Sequence, residues 1–349
     1  MIMSVQKNDK VWKGGDEMKV LVTGGAGYIG SHTVHQLIAE GHDVVVYDNL
    51  SKGHQDAVST AALFVQGDLR DGVLLTEVLR DHQIEAVVHF AADSLVGESM
   101  LDPSKYYHNN VVATLALLDT MRDCNVNKIV FSSTAAVYGE PTACPICEDL
   151  PTNPTNVYGR TKLVIEGMLA DFSMAYGFKY VSLRYFNAAG ALAGGQIGED
   201  HTPETHLLPL ILQTALGQRS AISIYGTDYD TEDGTCIRDY IHVTDLADAH
   251  VRALGHLAAG GESRVYNLGS EKGFIVRQVI EQAKEVTGAD FTVLEVERRA
   301  GDPGVLVASA AKIRSELGWQ PRQSDLGSII GSAWQWHKSH PEGYKDKGV

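Results

Sequence analysis

The chain has 349 residues, 44% of them hydrophobic and 21% charged, which suits a globular protein of about two domains. A net charge of −15 argues against nucleic acid or an anionic membrane as partner, because both select basic surfaces. No apolar stretch reaches the roughly 20 residues of a membrane span, and four cysteines with no signal sequence point to a reducing cytoplasm.

Residues 1–17 are polar and patternless and read as a disordered leader or an alternative start, with Met18 directly before the first strand. Short apolar runs then follow at 20–23, 44–48, 63–67, 86–90, 128–132 and 180–185. Helical patterns lie among them at 28–40, 72–82, 104–125 and 157–176. Such alternation predicts an α/β fold with a Rossmann-type, doubly wound parallel sheet over residues 18–187. After Asn187 the glycines cluster up to Gly198 and the rhythm is lost. A strand at 222–225 and a helix at 276–286 suggest a smaller mixed α/β domain over 188–349, with some of the chain crossing back.

Gly24, Gly27 and Gly30 are spaced G-x-x-G-x-x-G between the first strand and the first helix. Glycine there permits a tight turn and close approach of a pyrophosphate to the N–H groups of a helix N-terminus. Asp48 ends the next strand about 18 residues on, where a carboxylate accepts from ribose hydroxyls and repels a 2′-phosphate. The expected cofactor is therefore NAD, with Lys52 a solvated loop residue.

Tyr158 and Lys162 form Y-x-x-x-K, on one face of a helix. A phenol of pKa about 10 is a poor base. A nearby ammonium and a cationic nicotinamide would favour the phenolate and allow it to deprotonate an alcohol. Thr134 closes the strand motif FSST, at the strand end where doubly wound sheets bind ligands.

With these residues in hand, the chain resembles the extended short-chain dehydrogenase/reductase superfamily, and within it the UDP-glucose 4-epimerase family. TGGAGYIGSHT, GDLRD, HFAA with VGES, YYHNNV, FSSTAAVYGE, YGRTK, LRYFNAAG, TEDGTCIRDYIHV, YNLGS and RRAGDP match in order from Lys19 to about Tyr344. The resemblance implies NAD contacts at Tyr28, Ile29, Asp48, Asn49, Asp68, Leu69, Phe90, Ala91, Ala92, Ser94, Asn109, Lys162 and Phe186. It implies Tyr158 as base, Thr134 on the sugar oxygen, and Asn187, His206, Leu207, Ser223, Tyr225, Arg238, Arg299 and Asp302 around the UDP-sugar. Ser94 stands where some members have a cofactor-contacting Lys, His206 where others have Asn, and Thr134 where many have Ser.

The implied reaction oxidises carbon 4 of UDP-glucose or UDP-galactose, turns the 4-keto sugar over and reduces its other face. Alanines at 135 and 136 replace the Asp-Glu pair of related dehydratases and argue against that chemistry. A net UDP-sugar dehydrogenase and a non-catalytic NAD-binding redox sensor are the remaining alternatives. Leu306 falls where the family gates N-acetyl sugars. Its size predicts that UDP-GlcNAc and UDP-GalNAc are also accepted, unless Leu306 is simply core. The resemblance further implies a homodimer built on helices 104–125 and 157–176, and a role in galactose metabolism, although cell-surface sugar supply uses the same chemistry.

No metal is expected. Cys144 and Cys147 form a C-x-x-C with no second pair and read as free thiols on a surface loop. The 14 histidines are scattered, with His242 and His250 on structural elements, and Trp334 and Trp336 read as packing residues.

Overall fold

The computed structural model describes residues 17–299 and 302–345. The expected leader, apart from Glu17, lies outside the described residues. The first stretch of chain runs β1 (Lys19–Thr23), α1 (Tyr28–Ala39), β2 (Asp43–Asp48), β3 (Leu63–Gln66), α2 (Gly72–Asp81) and β4 (Ala86–His89). It continues through α3 (Val96–Leu101), α4 (Pro103–Tyr106), α5 (Ala113–Asp123), β5 (Lys128–Ser132), α6 (Val157–Tyr176) and β6 (Lys179–Arg184). Next come β7 (Asn187–Ala189), α7 (Leu207–Ala215), β8 (Ala221–Tyr225), β9 (Ile237–Arg238), β10 (Tyr240–His242), α8 (Val243–Ala258) and β11 (Arg264–Asn267). The last elements are β12 (Phe274–Ile275), α9 (Val276–Thr287), β13 (Thr292–Val296), β14 (Val305–Leu306), α10 (Ala311–Leu317) and α11 (Leu326–Ser339).

Seven parallel strands form the main sheet, in the order β11-β6-β5-β4-β1-β2-β3. Successive residues of a strand face opposite sides, so both sides must be apolar if helices cover both. Val20, Val22, Val46 and Val88 join one core with Val34, Leu254 and Trp319. Leu21, Val45 and Val87 join the other with Leu75, Leu117 and Ile165. The four-residue strand β11, beyond residue 187 and not marked by any pattern in the sequence, pairs with β6 inside the main sheet. Preceding α8 likewise packs against α1.

The single helix expected over 104–125 is three pieces, with a wider π-helical turn, Tyr107–Val112, between α4 and α5. Within that turn the buried Asn110 side chain accepts from Asp93 N and donates to Asp93 O and the Thr161 hydroxyl. Such π turns mark places where side-chain demands override regular helix spacing.

The smaller unit pairs β8 with β13 and gathers β12, β9 and β14 into a second small sheet. Its core joins Leu208, Ile211 and Leu212 of α7 to Val279 and Ile280 of α9 and Ile329 and Ile330 of α11. No helix among the described residues is long and apolar enough to cross a membrane.

Candidate functional site

At the C-terminal edge of β1 the glycine loop turns into α1. Gly24 has φ +73°, and a side chain there would strike the backbone of Ala91 at 2.5 Å. A Cβ on Gly30 would meet Gly24 O at 2.1 Å, and one on Gly27 would fill the cradle 3.3 Å from the same oxygen. The Gly27 cap contributes no side-chain hydrogen bond, so the first-turn N–H groups of Tyr28 and Ile29 lack helical acceptors. That arrangement fits a dinucleotide pyrophosphate.

Asp48 ends β2 almost buried. Its two oxygens accept the N–H groups of Ala26 (3.0 Å) and Leu50 (2.8 Å), which fixes its aim and leaves further lone pairs for hydroxyls. Burial pushes its carboxyl upward while those two bonds pull it back. Asn49 donates to Asp68, whose carboxylate the Arg70 guanidinium grips and holds well below the usual range. Leu69 is buried beneath. Phe90 and Ala91 both donate to Thr23 O as β4 ends, Ala92 follows, and Asn109 faces Asp93 from the π turn. Ser94 is exposed. Lys52 is not simply solvated: its Nζ donates to Thr202 O at 3.2 Å.

The reacting groups meet between β5 and α6. Asn156 caps α6 through the Gly159 N–H and so begins the helix one residue before Tyr158. The Thr134 hydroxyl accepts from Ala136 N at 3.1 Å, which leaves its own proton to donate, and it interacts with the Tyr158 phenol. Lys162 lies one turn further on, buried, with Nζ donating to Ser132 O at 2.8 Å and 5.9 Å from the Tyr158 ring centre.

The protein's own groups do not lower the phenol as the sequence reading expected. Burial pushes Tyr158 up to about 12, against the pull of Thr134. Burial also pushes the Lys162 ammonium down to about 7, weakening the positive charge assigned that task.

A cavity that begins at Asn187, just past the end of β6, is lined by Asn187, His206, Leu207, Ser223, Tyr225, Arg238, Arg299 and Asp302, brought together from separate stretches of sequence. The Arg299 guanidinium stacks over the Tyr225 ring at 3.9 Å. Arg238 pairs with Asp302 at 2.5 Å, so Asp302 first of all orients that arginine. Leu306 packs instead with Phe186 and Leu163 against Ala135 and Tyr138, just behind Thr134.

Residues 20–269 match the model of the NAD dependent epimerase/dehydratase family. The chain belongs to that family. It is 55% identical over 334 residues to a UDP-glucose 4-epimerase of Halalkalibacterium halodurans, covering 95% of this chain and all of that one. It is also similar to a solved UDP-glucose 4-epimerase structure, at 54% identity and a TM-score of 0.93 over 94% of this chain and 100% of the other. A structure of the enzyme from Brucella ovis in complex with NAD shares 50% identity at a TM-score of 0.89, over 91% and 97%. As a member of the family this chain is an enzyme whose cofactor is NAD.

Two further groups of this epimerase/dehydratase chain are not evident from sequence pattern. Beneath the reacting centre, Glu166 on α6 forms a buried bidentate pair with Arg184 of β6 (2.9 and 2.5 Å). Ser133 donates to Glu166, and Arg184 donates to Tyr138. The signal available was Glu166 one helical turn beyond Lys162.

Beside the cavity, Glu199, His201, Glu204 and His206 converge, although the histidines read as scattered. Burial opposes charge on His206 and His201, but the two carboxylates outweigh it and raise them to about 10 and 9. Nδ1 of His206 is thus taken by Glu199 (2.9 Å) and Glu204 (3.1 Å), while its ring lines the cavity. His242 and His250 lie buried on β10 and α8. Cys144 and Cys147 are exposed free thiols, Trp336 is buried, and Trp334 packs at the edge of the smaller core.

Proposed function

We propose that the chain interconverts UDP-glucose and UDP-galactose by inverting carbon 4 of the sugar. What supports this reading most is the meeting of Thr134, Tyr158 and Lys162 at the end of β5, in a sheet that carries the glycine cradle at the end of β1, alongside a cavity lined by Arg238 and Arg299. NAD bound on that cradle would supply the hydride acceptor and donor for carbon 4, and its positive ring would offset the burial that raises Tyr158. Tyr158 receives the proton of the 4-hydroxyl and later gives it back. Thr134, its lone pair occupied by Ala136 N, donates to the reacting oxygen. Lys162, fixed on Ser132 O, orients the phenol and the cofactor ribose. Gly24, Gly27, Gly30, Tyr28 and Ile29 form the pyrophosphate cradle, and Asp48 accepts from a ribose hydroxyl.

Arg238 and Arg299 hold the diphosphate, since a planar guanidinium matches its oxygens. Tyr225, stacked on Arg299, offers a face for uracil. Firm contacts at the nucleotide and few at the sugar leave the oxidised sugar free to turn over. The test is product analysis after incubating the chain with four UDP-sugars and no added NAD. Conversion of UDP-galactose to UDP-glucose supports the reading. Retained NAD with no turnover would favour a redox sensor instead.

We also propose that UDP-GlcNAc and UDP-GalNAc are substrates, because the family resemblance puts the N-acetyl gate at Leu306, which packs on the Ala135–Tyr138 cluster and is smaller than an aromatic side chain. Comparable kcat/KM on plain and acetylated sugars supports this, and activity confined to the plain pair contradicts it. A second copy of the chain is the expected partner: exposed Leu101, Val112, Leu115 and Val164 flank α5 and α6 on one side of the sheet. A dimer in sedimentation supports this, and a monomer at micromolar concentration contradicts it.

A further inference from the structure

We propose that Glu199, His201, Glu204 and His206 bind one divalent transition-metal cation of the zinc class, a site that staples the 199–206 segment between the cofactor cradle and the nucleotide cavity. All four candidate ligands fall within eight consecutive residues, spaced E-x-H-x-x-E-x-H. Their four ligand atoms lie within 4.8 Å of one another.

The histidine–carboxylate distances are close to those around a metal, and the widest separation, 4.8 Å, would have to close on binding. Four ligands at about 2.0–2.1 Å from a tetrahedral zinc stand about 3.3 Å apart. Here His206 Nδ1 lies 2.9 Å from Glu199 and 3.1 Å from Glu204, and His201 Nδ1 lies 3.3 Å and 3.6 Å from the same two carboxylates. His201 Nδ1 provides the independent sign: it is sealed from solvent and makes no hydrogen bond. That nitrogen sits between two carboxylates, at 3.3 and 3.6 Å, where a cation would displace the proton they hold on the ring.

Supporting contacts hold the ligands in place, as metal ligands require. Glu204 Oε1 accepts the N–H groups of Thr205 (2.7 Å) and His206 (2.8 Å), leaving Oε2 toward His201. Trp336 Nε1 donates to Glu199 O at 3.2 Å, and Lys52 Nζ to Thr202 O at 3.2 Å. Tyr28 of the cradle lies edge-on to His201, with ring centres 6.3 Å apart. Two imidazoles with two carboxylates suit zinc or cobalt better than calcium or magnesium, which prefer all-oxygen shells. With Nδ1 ligated, His206 keeps its proton on Nε2, as a fixed donor on a ring that lines the nucleotide cavity.

The test uses the tag-free full-length chain with its cofactor, dialysed and analysed for metal, then stripped with chelator and titrated with cobalt(II). The expected result is on the order of one zinc per chain and the intense visible bands of tetrahedral cobalt. His201→Gln with Glu204→Gln should lower zinc at least tenfold, and zinc should raise the Tm of the parent chain but not of this variant. Cys144→Ser with Cys147→Ser should keep full uptake, since those exposed thiols are the competing site. Zinc no higher in the parent than in the histidine–glutamate variant overturns the proposal, as does uptake that disappears with the cysteines. Cobalt retaining the pale spectrum of the hydrated ion also overturns it. That last readout comes from the parent chain alone and stands even if the variant fails to fold.

Discussion

At the scale of single residues, the account rests on Tyr158 as a proton carrier whose burial works against ionisation. Tyr158→Phe should lower kcat by about 10²–10⁴-fold, the usual share of general acid–base catalysis, while bound NAD stays unchanged. Near-parental turnover would remove Tyr158 from the chemistry. Lys162 is buried with its ammonium lowered to about 7. Its folded pKa lies below the unfolded one, so it costs stability below pH 7, and the cost fades as pH rises toward the unfolded value. Lys162→Met should therefore match or exceed parental stability in urea at pH 7 while losing about 100-fold in kcat. A large loss of stability would contradict this.

The reacting pair was legible because Y-x-x-x-K depends only on helix spacing. Asn110 was not, since the sequence cannot say which of two adjacent asparagines a π turn directs inward. Nor was the fourfold cluster at 199–206, because its ligands lie in a segment with no periodicity to mark their faces.

At the scale of elements, α6 joins chemistry to fold. Its outer turns carry Tyr158 and Lys162, and its next turn carries Glu166 into the buried pair with Arg184. Removing one member of such a pair strands the other charge, so Glu166→Ala should cost about 3–5 kcal/mol in denaturant unfolding. A cost under about 1 kcal/mol would show that Tyr138 and water compensate Arg184 fully. The strands from β1 to β6 were legible because helices cover both faces of the sheet, which makes each strand a continuous apolar run. Two-residue strands such as β9, β12 and β14 are too short to show any period, and β11 was hidden because a four-residue run cannot be distinguished from loop by pattern alone. Those pieces matter, because β8 and β9 carry Tyr225 and Arg238 into the cavity.

At the scale of the whole molecule, buried histidines set the acid limit. His250 is fully buried and held neutral, lowered to about 4 by burial against the help of the Leu246 carbonyl. His89, bonded to Thr23 and Thr114, is lowered to about 3 by burial and then by Lys162. Both folded pKa values lie below the unfolded value near 6.5, so the unfolded chain binds more protons and stability falls as pH drops from 6.5 toward 4. Each should cost roughly 2 kcal/mol at pH 5 relative to pH 7.5. His250→Gln should remove about its share of that slope, and an unchanged slope would exonerate His250.

The central claim is that one centre oxidises and re-reduces the same sugar carbon. The most direct measurement is to incubate the chain, with no added NAD, with UDP-galactose deuterated at carbon 4 and follow the label by NMR. The expected product is UDP-glucose with deuterium still on carbon 4 and none exchanged with solvent. Label lost to water, or galactose consumed with accumulating NADH, would contradict that claim.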